Sequence, residues 1–403
     1  MRKIDTGKFR LATRWTPRDV NRRIVLNLIR ELQPISRAEL ARRMKVHRGA
    51  LTAIVRELIE RDEVQEIGVA AVTPRGRRPT LLKIRSGGQL IAAADVRPGR
   101  TYLALMDQAG NVVARDEIET PLAAELLPAA LADGLTRLVS GYSPGALPNQ
   151  LCRGLGIVVP GMIDRKTGRI VYAPRLGWRD VELRGAVAER LGVKTFIESA
   201  PIACAMARLW MSDETRSVQS FAYVHISDGL GVGLVVNGEP LRGDTHSAGE
   251  FGHILLDPNG PECACGQRGC WEALACNATT IARYTNARGR ARISGKPSID
   301  EIVRRAERGE QAAVETLAET ARAIGRGLAI VVNAFNPGRI YLGGEVTAAW
   351  GILEEPIREA IGGAITPAAR LTPVVPDGRP AEYRLRGAAA LVMAPVYAAL
   401  AVG

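Results

Sequence analysis

The residues with the most distinctive chemistry lie between Gly229 and Glu272. One histidine and three cysteines stand in this segment, at His253, Cys263, Cys265 and Cys270. Imidazole and thiolate ligands suit a tetrahedral Zn²⁺ ion, and the neighbouring glycines let a short loop fold back around a metal. We therefore predict a structural Zn²⁺ site in the segment 253–272, with a metal-free loop as the alternative.

Two carboxylates, Glu250 and Glu272, flank these four residues and are not needed as metal ligands. Three alternating glycines, Gly229, Gly231 and Gly233, precede them and lead into an apolar run. Spare hydrogen-bond acceptors beside a closed metal loop indicate the floor of a ligand pocket.

The net charge of the chain is unevenly distributed. Of the 403 residues, 54 are Lys or Arg and 42 are Asp or Glu, so the net charge is +12. The first 85 residues carry 21 basic and 9 acidic side chains, and this excess equals that of the whole chain. Such asymmetry indicates a nucleic-acid-binding segment attached to a neutral body. A basic solvated surface is the alternative.

Composition also bears on the class of protein and its compartment. The hydrophobic fraction of 46% is ordinary for a soluble protein, and the length allows two or three domains. The six cysteines do not have the spacing of a disulfide framework. The polar, basic N terminus argues against a signal peptide, and the apolar stretches are too short to span a bilayer. We expect a cytoplasmic protein without membrane contact.

The basic segment predicts three short helices. Apolar residues in the range 21–32 fall on one helical face, and Pro34 ends that helix. Ser36 stands three positions before Glu39, the spacing of a capping box that starts a second helix. A tight connection at 45–47 leads into a third helix. This order is typical of a helix-turn-helix, and a plain helical bundle is the alternative.

The exposed face of the third helix offers candidate DNA contacts. They are Arg48, Thr52 and Arg56, with His47 at the start of the helix. Arg can bond the edge of a guanine in two places, and Thr can reach a base or a phosphate. We predict that this helix reads the major groove.

A further group of basic residues stands at Arg75, Gly76, Arg77 and Arg78, followed by Pro79. These residues lie between candidate strands at 64–67 and 81–84, so we predict that they form the tip of a wing. Arginines at such a tip can enter a narrow, A·T-rich minor groove, where the potential is most negative. A solvated basic loop is the alternative.

The remainder of the chain predicts a mixed α/β body in two similar halves. Candidate strands lie at 90–94, 101–106, 112–117, 155–159, 196–198, 221–226, 234–237 and 340–342. Candidate helices lie at 121–140, from about 202 onward and at 314–335, and the segment 173–178 is predicted as a loop. The repeated order of strands and helices indicates two lobes with a cleft between them.

The whole chain resembles the ROK family (repressors, open reading frames and sugar kinases). The motifs that carry the resemblance lie at 156–161, 173–178, 229–233, 249–253 and 253–272. The basic segment and its Arg-rich wing resemble the transcription-regulator branch of this family. The resemblance implies a basic arm at 1–20, a winged helix-turn-helix at 21–85 and a bilobed actin/hexokinase-like (ribonuclease H-like) α/β domain at 89–403.

The resemblance also implies a sugar site between the lobes, with Glu250, His253 and Glu272 as contacts and His253 also among the zinc ligands. A carboxylate accepts hydrogen bonds from vicinal hydroxyls, and a zinc-bound imidazole can offer its second nitrogen to a ligand. Three further candidate contacts are Gly161, Arg175 and Ser199. Arg175 stands where many relatives have Asn, which favours an acidic or phosphorylated sugar. Zinc that only staples the loop, and a pocket that binds no sugar, are the alternatives.

The residues that a sugar kinase needs are replaced. Kinases of the family carry Glu-Asn-Asp at one strand end, where the Asp takes the proton of the sugar hydroxyl. The matching residues are Glu198, Ser199 and Ala200. Ala200 cannot take a proton, and Glu198 lies about 7 Å away along an extended chain. The segment 95–99 has Arg and Pro where the kinases have phosphate-binding glycines. We therefore predict no catalytic residue.

Taken together, these patterns predict a repressor of carbohydrate-metabolism genes. It would be a homodimer or homotetramer that binds a double-stranded DNA operator and responds to a sugar or sugar derivative. A dimer would place two third helices about 34–36 Å apart in successive major grooves. The alternatives are a zinc-containing ROK sugar kinase that retains phosphotransfer, and a constitutive DNA-binding regulator without a sugar effector.

Overall fold

The computed structural model describes most of the chain. The described residues are 18–69, 79–85, 89–108, 110–211, 218–244, 248–289, 297–366, 372–377 and 380–397. Among them, no helix combines the length and the apolar character that a bilayer crossing requires.

The N-terminal head is a winged helix-turn-helix. Its elements are α1 (Arg18–Leu32), β1 (Ile35–Ser36), α2 (Arg37–Met44), α3 (Arg48–Glu60), β2 (Val64–Val69) and β3 (Thr80–Ile84). The predicted N-cap of α2 is confirmed, because the Ser36 hydroxyl accepts the Glu39 backbone N–H at 3.2 Å. The Glu39 carboxylate pairs with Arg42 and Arg43 instead of returning to the cap. The three helices and the β2–β3 hairpin enclose a small apolar core.

Lobe 1 is built on a five-stranded sheet. Its elements are β4 (Leu90–Val96), β5 (Arg100–Met106), β6 (Val112–Glu119), α4 (Leu127–Tyr142), α5 (Pro148–Leu151), β7 (Cys152–Val159), β8 (Met162–Asp164), β9 (Arg169–Ala173), β10 (Trp178–Glu182), α6 (Arg184–Leu191), β11 (Thr195–Ser199) and α7 (Ala200–Met211). The strand order is β11-β7-β4-β5-β6, with β8, β9 and β10 in a separate small sheet. The parallel strands β4, β7 and β11 are almost fully buried, as expected when both faces of a sheet are covered.

Lobe 2 repeats this arrangement. Its elements are β12 (Phe221–Ile226), β13 (Leu230–Val236), β14 (Glu239–Pro240), α8 (Trp271–Ala275), α9 (Asn277–Arg288), α10 (Ile299–Glu307), α11 (Gln311–Phe335), β15 (Ile340–Gly343), α12 (Trp350–Gly362) and β16 (Val374–Pro376). The sheet order is β14-β13-β12-β15-β16. In each lobe an antiparallel hairpin continues a parallel sheet, so the predicted two-lobed α/β organisation is confirmed.

The C-terminal helix α13 (Pro380–Tyr397) returns to lobe 1 and packs against α7, β4 and β7. Together α7 and α13 form the centre of an apolar core that extends without interruption into the head. Close packing of α13 on the sheet requires a glycine in β7, because a Cβ at Gly156 would lie 1.9 Å from the Ala388 carbonyl oxygen.

Several of the sequence-based boundaries were wrong. The first helix begins at Arg18, inside the predicted arm 1–20, and the strand predicted at 234–237 spans Leu230–Val236 as β13.

The helix predicted from residue 121 begins at Leu127, because Pro128 is tolerated in the first turn of a helix but would break its interior. The segment predicted as a loop at 173–178 contains the end of β9, a single 3₁₀ turn and the start of β10. Its backbone therefore pairs within the small sheet.

The packing of α8, which carries Trp271 and Glu272, against α11 can be tested by substitution. The Trp271 ring is fully buried, and a Cβ at Gly327 would lie 2.0 Å from it. We expect Gly327→Ala to lower the free energy of unfolding by about 1–3 kcal/mol, as overpacked cores do. Gly351→Ala is the matched control, because nothing lies within 4 Å of its Cβ and a helical Ala gains up to about 1 kcal/mol. If the two substitutions changed the free energy of unfolding equally in urea denaturation, close packing of Gly327 on Trp271 would be contradicted.

Candidate functional site

A cavity of about 350 Å³ lies between the two lobes. Lobe 1 lines it with Gly161, Arg175 and Ser199, and lobe 2 lines it with Glu250, His253 and Glu272. The structure thus brings together all six residues that the sequence suggested as effector contacts. We call this cavity the interlobe cleft.

The four cysteine and histidine residues form a cluster at one end of the cleft. Their ligand atoms all lie within 4.8 Å of one another, a geometry that could hold a metal ion. The loop closes on itself through the Cys263 N–H, which donates to the Gln267 carbonyl at 2.7 Å. Gly269 has φ +68°, and a Cβ there would lie 1.6 Å from the Asp257 carbonyl oxygen. Only glycine fits this close approach of backbone to backbone.

The thiols of the cluster are partly removed from water. Burial, and then hydrogen bonds with the neighbouring thiols, raise the pKa of Cys270 to about 12. Burial also raises the pKa of Cys263. Because metal ligation requires thiolate, a cation that binds here must displace these protons.

His253 connects the cluster with the cleft. Its Nδ1 lies 3.6 Å from the Cys263 Sγ, and its Nε2 lies 3.8 Å from a carboxylate oxygen of Glu250. Desolvation is the main cause that raises the pKa of Glu250, with Glu272 adding to the rise and His253 opposing it. About half of the Glu250 side chain, 52%, nevertheless remains exposed. The His253 ring therefore faces the thiol of Cys263 on one edge and an accessible carboxylate on the other.

Glu272 and Arg175 contact each other across the floor of the cleft. One Glu272 oxygen lies 3.2 Å from an Arg175 guanidinium nitrogen, and the other accepts the Leu230 N–H at 2.9 Å. Sequence reasoning treated the two residues as separate ligand contacts and missed this pair. A ligand that uses either side chain must bridge or displace an ion pair between the lobes.

The strand end that carries the base in kinases has a different structure here. Ala200 is buried at the first position of α7. The Glu198 carboxylate is also buried, and it accepts hydrogen bonds from two Arg242 nitrogens, both at 3.2 Å. Its charge is therefore compensated by an arginine from the other lobe, a contact that no local motif reveals.

The segment 95–99 contains the tight connection between β4 and β5. The Asp95 carboxylate is completely buried and lies 2.6 Å from Arg384 Nε and 2.7 Å from Arg97 Nε. Arg97 also lies 3.8 Å from Glu345 of lobe 2. These ion pairs occupy the side of the cleft next to the ends of both sheets.

His225 lines the same side of the cleft. Its side chain is 6% exposed, and its Nδ1 has no hydrogen-bond partner among the described residues. Burial, followed by the charges of Arg384 and Arg97, lowers the pKa of His225 to about 3. The ring is therefore neutral at physiological pH.

The candidate DNA contacts lie on the surface of the head. His47, Arg48 and Arg56 are exposed, whereas Thr52 is half-buried and donates its hydroxyl to the Arg48 carbonyl at 2.8 Å. The strands β2 and β3 pair in antiparallel register as far as Val69 and Thr80. The wing residues Arg75, Gly76, Arg77 and Arg78 lie outside the described residues, so their role stays a prediction.

The fold and the cleft define a bilobed protein with a sugar-kinase-like body and a winged-helix head. Residues 94–394 match the model of the ROK family, and the chain belongs to that family.

Known transcriptional regulators and a known sugar kinase are similar to this chain. It is 29% identical over 355 residues to the xylose repressor of Bacillus spizizenii, covering 86% of this chain and 88% of the repressor. It is 29% identical over 351 residues to the DNA-binding transcriptional dual regulator NagC of Escherichia coli, covering 85% of each. A solved ROK family transcriptional regulator, a homolog of the E. coli MLC protein, superposes with a TM-score of 0.80 at 26% identity, covering 94% of this chain and 96% of that one. A Streptomyces griseus ROK glucokinase with glucose and AMPPNP gives 0.65 at 25% identity, covering 74% and 98%.

The depressed pKa of His225 predicts a pH dependence of stability. Because the pKa of His225 in the folded protein, about 3, lies below the ordinary histidine value of 6.5, the unfolded chain takes up a proton first as the pH falls. The stability that the neutral ring contributes is present above pH 6.5 and is lost towards pH 3. We expect His225→Gln to remove up to about 1.4 kcal/mol per pH unit from the slope of the unfolding free energy between pH 6.5 and 5.

The measurement is urea denaturation at several pH values. His47→Gln is the control, because His47 is exposed, and it should keep the wild-type slope. A His225→Gln protein with an unchanged slope would show that His225 is not held neutral.

Proposed function

We propose that this chain is a sequence-specific DNA-binding transcriptional regulator, a repressor of carbohydrate-metabolism genes. A sugar or sugar derivative in the interlobe cleft controls its affinity for DNA. The observation that carries the proposal is the direct docking of the head on the two helices that start at the cleft. The similarity to repressors over more than four fifths of both chains supports it.

The path from the cleft to the head is short and made of regular helices. Helix α7 begins at Ala200 in the cleft wall and reaches Trp210. Helix α13 carries Arg384, which also lines the cleft, and ends at Tyr397. A change in the relative position of the lobes must displace one or both helices, because α7 packs against β12 and β13 of lobe 2 while its partner α13 packs against β4 and β7 of lobe 1.

The head contacts both helix ends through α1. The Arg30 guanidinium lies over the rings of Trp210 and Tyr397, at 5.5 and 4.5 Å from their centroids. Asn27 Nδ2 donates to the Tyr397 carbonyl at 2.8 Å. Ligand binding would thus alter the position of the head, and in a homodimer or homotetramer it would alter the spacing of two recognition helices from the about 34–36 Å that successive major grooves require.

On the DNA side, α3 would enter the major groove, with Arg48 and Arg56 towards base edges or phosphates and His47 and Thr52 beside them. The exposure of His47, Arg48 and Arg56 supports this assignment. The Arg-rich wing tip would follow the neighbouring minor groove. The basic excess of the first 85 residues supplies the attraction to phosphates.

We further propose that the cleft binds its ligand without phosphotransfer. Ala200 offers no proton acceptor, and the nearby Glu198 is engaged by Arg242. Asp95 is likewise engaged by Arg97 and Arg384. The accessible Glu250 carboxylate would accept hydrogen bonds from vicinal hydroxyls of the sugar.

The His253/Cys263/Cys265/Cys270 cluster would hold a structural Zn²⁺ ion. One histidine and three cysteines are a ligand set that Zn²⁺ takes in structural sites. The ion would keep the loop closed and the His253 ring oriented, so that its second nitrogen faces the cleft. Thus the metal would support the effector site without reacting itself.

Zinc content tests this part of the proposal. We expect about one Zn²⁺ per chain in the purified protein and a loss of most of it in Cys263→Ser, because a structural site needs its four ligands. Cys276→Ser is the control, since Cys276 lies outside the cluster and its Sγ contacts the Thr279 hydroxyl at 3.4 Å. Equal zinc in the two variants, by atomic emission, would remove Cys263 from the ligand set.

The effector proposal is tested with an operator selected in vitro by the full-length protein. Titration with pentoses, hexoses, N-acetylated hexoses and their phosphates should reveal one that weakens operator binding. A complete switch requires a difference in affinity of about 5 kcal/mol between the two states. Glu250→Gln should abolish the response and keep the operator affinity, because Glu250 lies in the cleft and not in the head.

Arg48→Ala is the complementary variant and should weaken operator binding by about 1–3 kcal/mol with the sugar response retained. The same sugar panel is assayed for ATP turnover, and none is expected. Turnover that Glu250→Gln abolishes would support the kinase alternative. If no sugar changes the operator affinity, the result would support the constitutive regulator instead.

A further inference from the structure

A second cavity, separate from the interlobe cleft, is lined mostly by cations. Its volume is about 280 Å³, and its lining residues are Arg165, Lys166, Arg184, Phe196, Ile197, Arg242 and Leu391. We propose that this cation cavity binds a small phosphate-bearing anion as a second ligand. The inference does not depend on the identity of the cleft effector or on DNA binding.

Two of the four cations form no direct contact with a carboxylate of the described residues. The side-chain nitrogens of Arg165 and Lys166 have no hydrogen-bond or ion-pair partner among the residues that the structure describes. None of the residues that line the cavity is a carboxylate. The charge of Glu198 acts on Arg165, but the Glu198 carboxylate is already paired with Arg242.

The other two cations hold the cavity in shape. The Arg184 guanidinium donates to the backbone carbonyls of Arg165 and Lys166, at 2.9 and 2.8 Å. A second contact fixes the turn that follows β8, because the Asp164 carboxylate accepts the Lys166 backbone N–H at 2.8 Å. The unpaired side chains therefore project from a rigid turn, as in a preformed ligand site.

Electrostatics favour an anion at this place. Burial, and then the charges of Arg242 and Arg184, lower the pKa of Arg165, with Glu198 opposing. Like charges held close together in a partly dry site cost free energy that a bound anion would offset. A guanidinium matches a phosphate through two parallel hydrogen bonds, and an ammonium adds a point charge.

The shape of the cavity indicates the size of the ligand. Phe196, Ile197 and Leu391 form an apolar wall opposite the cations. The volume of about 280 Å³ lies just below the range of about 300–1,000 Å³ that small-molecule pockets usually have. A phosphate group with a short carbon skeleton fits this combination better than a nucleotide does.

The position of the cation cavity connects it with the cleft. Arg242 belongs to lobe 2, whereas Arg165, Lys166 and Arg184 belong to lobe 1. Arg242 also pairs with Glu198, which lines the interlobe cleft. An anion that draws on Arg242 would thus act on an ion pair between the lobes and change the response to the cleft ligand.

The test is calorimetric titration of the full-length protein with inorganic phosphate and with glycerol 3-phosphate. We expect Arg165→Gln and Lys166→Gln each to weaken binding by about tenfold or more, the loss that follows removal of a charge-assisted hydrogen bond. Arg190→Gln is the matched control, because Arg190 is an exposed arginine at the end of α6 in the same lobe. It should bind both probes as the wild type does.

Two comparisons identify other sources of binding. Arg48→Ala reports on the basic head, and Glu250→Gln reports on the cleft. The proposal would be overturned if either of these two variants lowered the phosphate affinity while Arg165→Gln and Lys166→Gln left it unchanged. So would the absence of measurable binding of both probes to the wild-type protein. Lys166 is exposed on a turn, so its variant remains informative if Arg165→Gln fails to fold.

Discussion

The buried carboxylate of Asp95 is the constraint on which the attachment of the C-terminal helix α13 to the lobe 1 sheet depends. It is completely inaccessible and is held by Arg384 from α13 and by Arg97 from the β4–β5 connection. An isolated buried charge costs several kcal/mol, so neither arginine can leave without a large loss of stability. The pairing joins the end of a lobe 1 strand to the helix that leads back to the head. Arg97 extends it to Glu345 of lobe 2.

Two further carboxylates at the cleft are also paired with arginine. Glu198 is paired with Arg242, and Glu272 is paired with Arg175, each time between one lobe and the other. Arginine thus compensates three carboxylates, those of Asp95, Glu198 and Glu272. Glu250 differs, because about half of its side chain is exposed. A cleft built in this way is suited to recognise a ligand and to respond by changing the fit of the lobes.

The head is attached to this body by packing and not only by a linker. The apolar core of the head is continuous with that of α7 and α13, and Arg30 lies over aromatic rings at the ends of both helices. Packed interiors transmit displacement because they have few voids to absorb it. The cluster of His253, Cys263, Cys265 and Cys270 lies at one end of the cleft, where the His253 ring faces both the Cys263 thiol and Glu250.

Short-range patterns in the sequence determined the elements and the cluster. The cap at Ser36 and the ligand set in 253–272 were predictable, because each depends on residues close together in the chain. The start of α4 was not predictable from the local sequence, because Pro121 and Pro128 are both acceptable in the first turn of a helix and only the second begins it. Only the tertiary structure decided the ion pairs, since Asp95 and Arg384 are 289 positions apart. No local periodicity encodes such a contact, and it forms only when the returning α13 helix packs on the sheet.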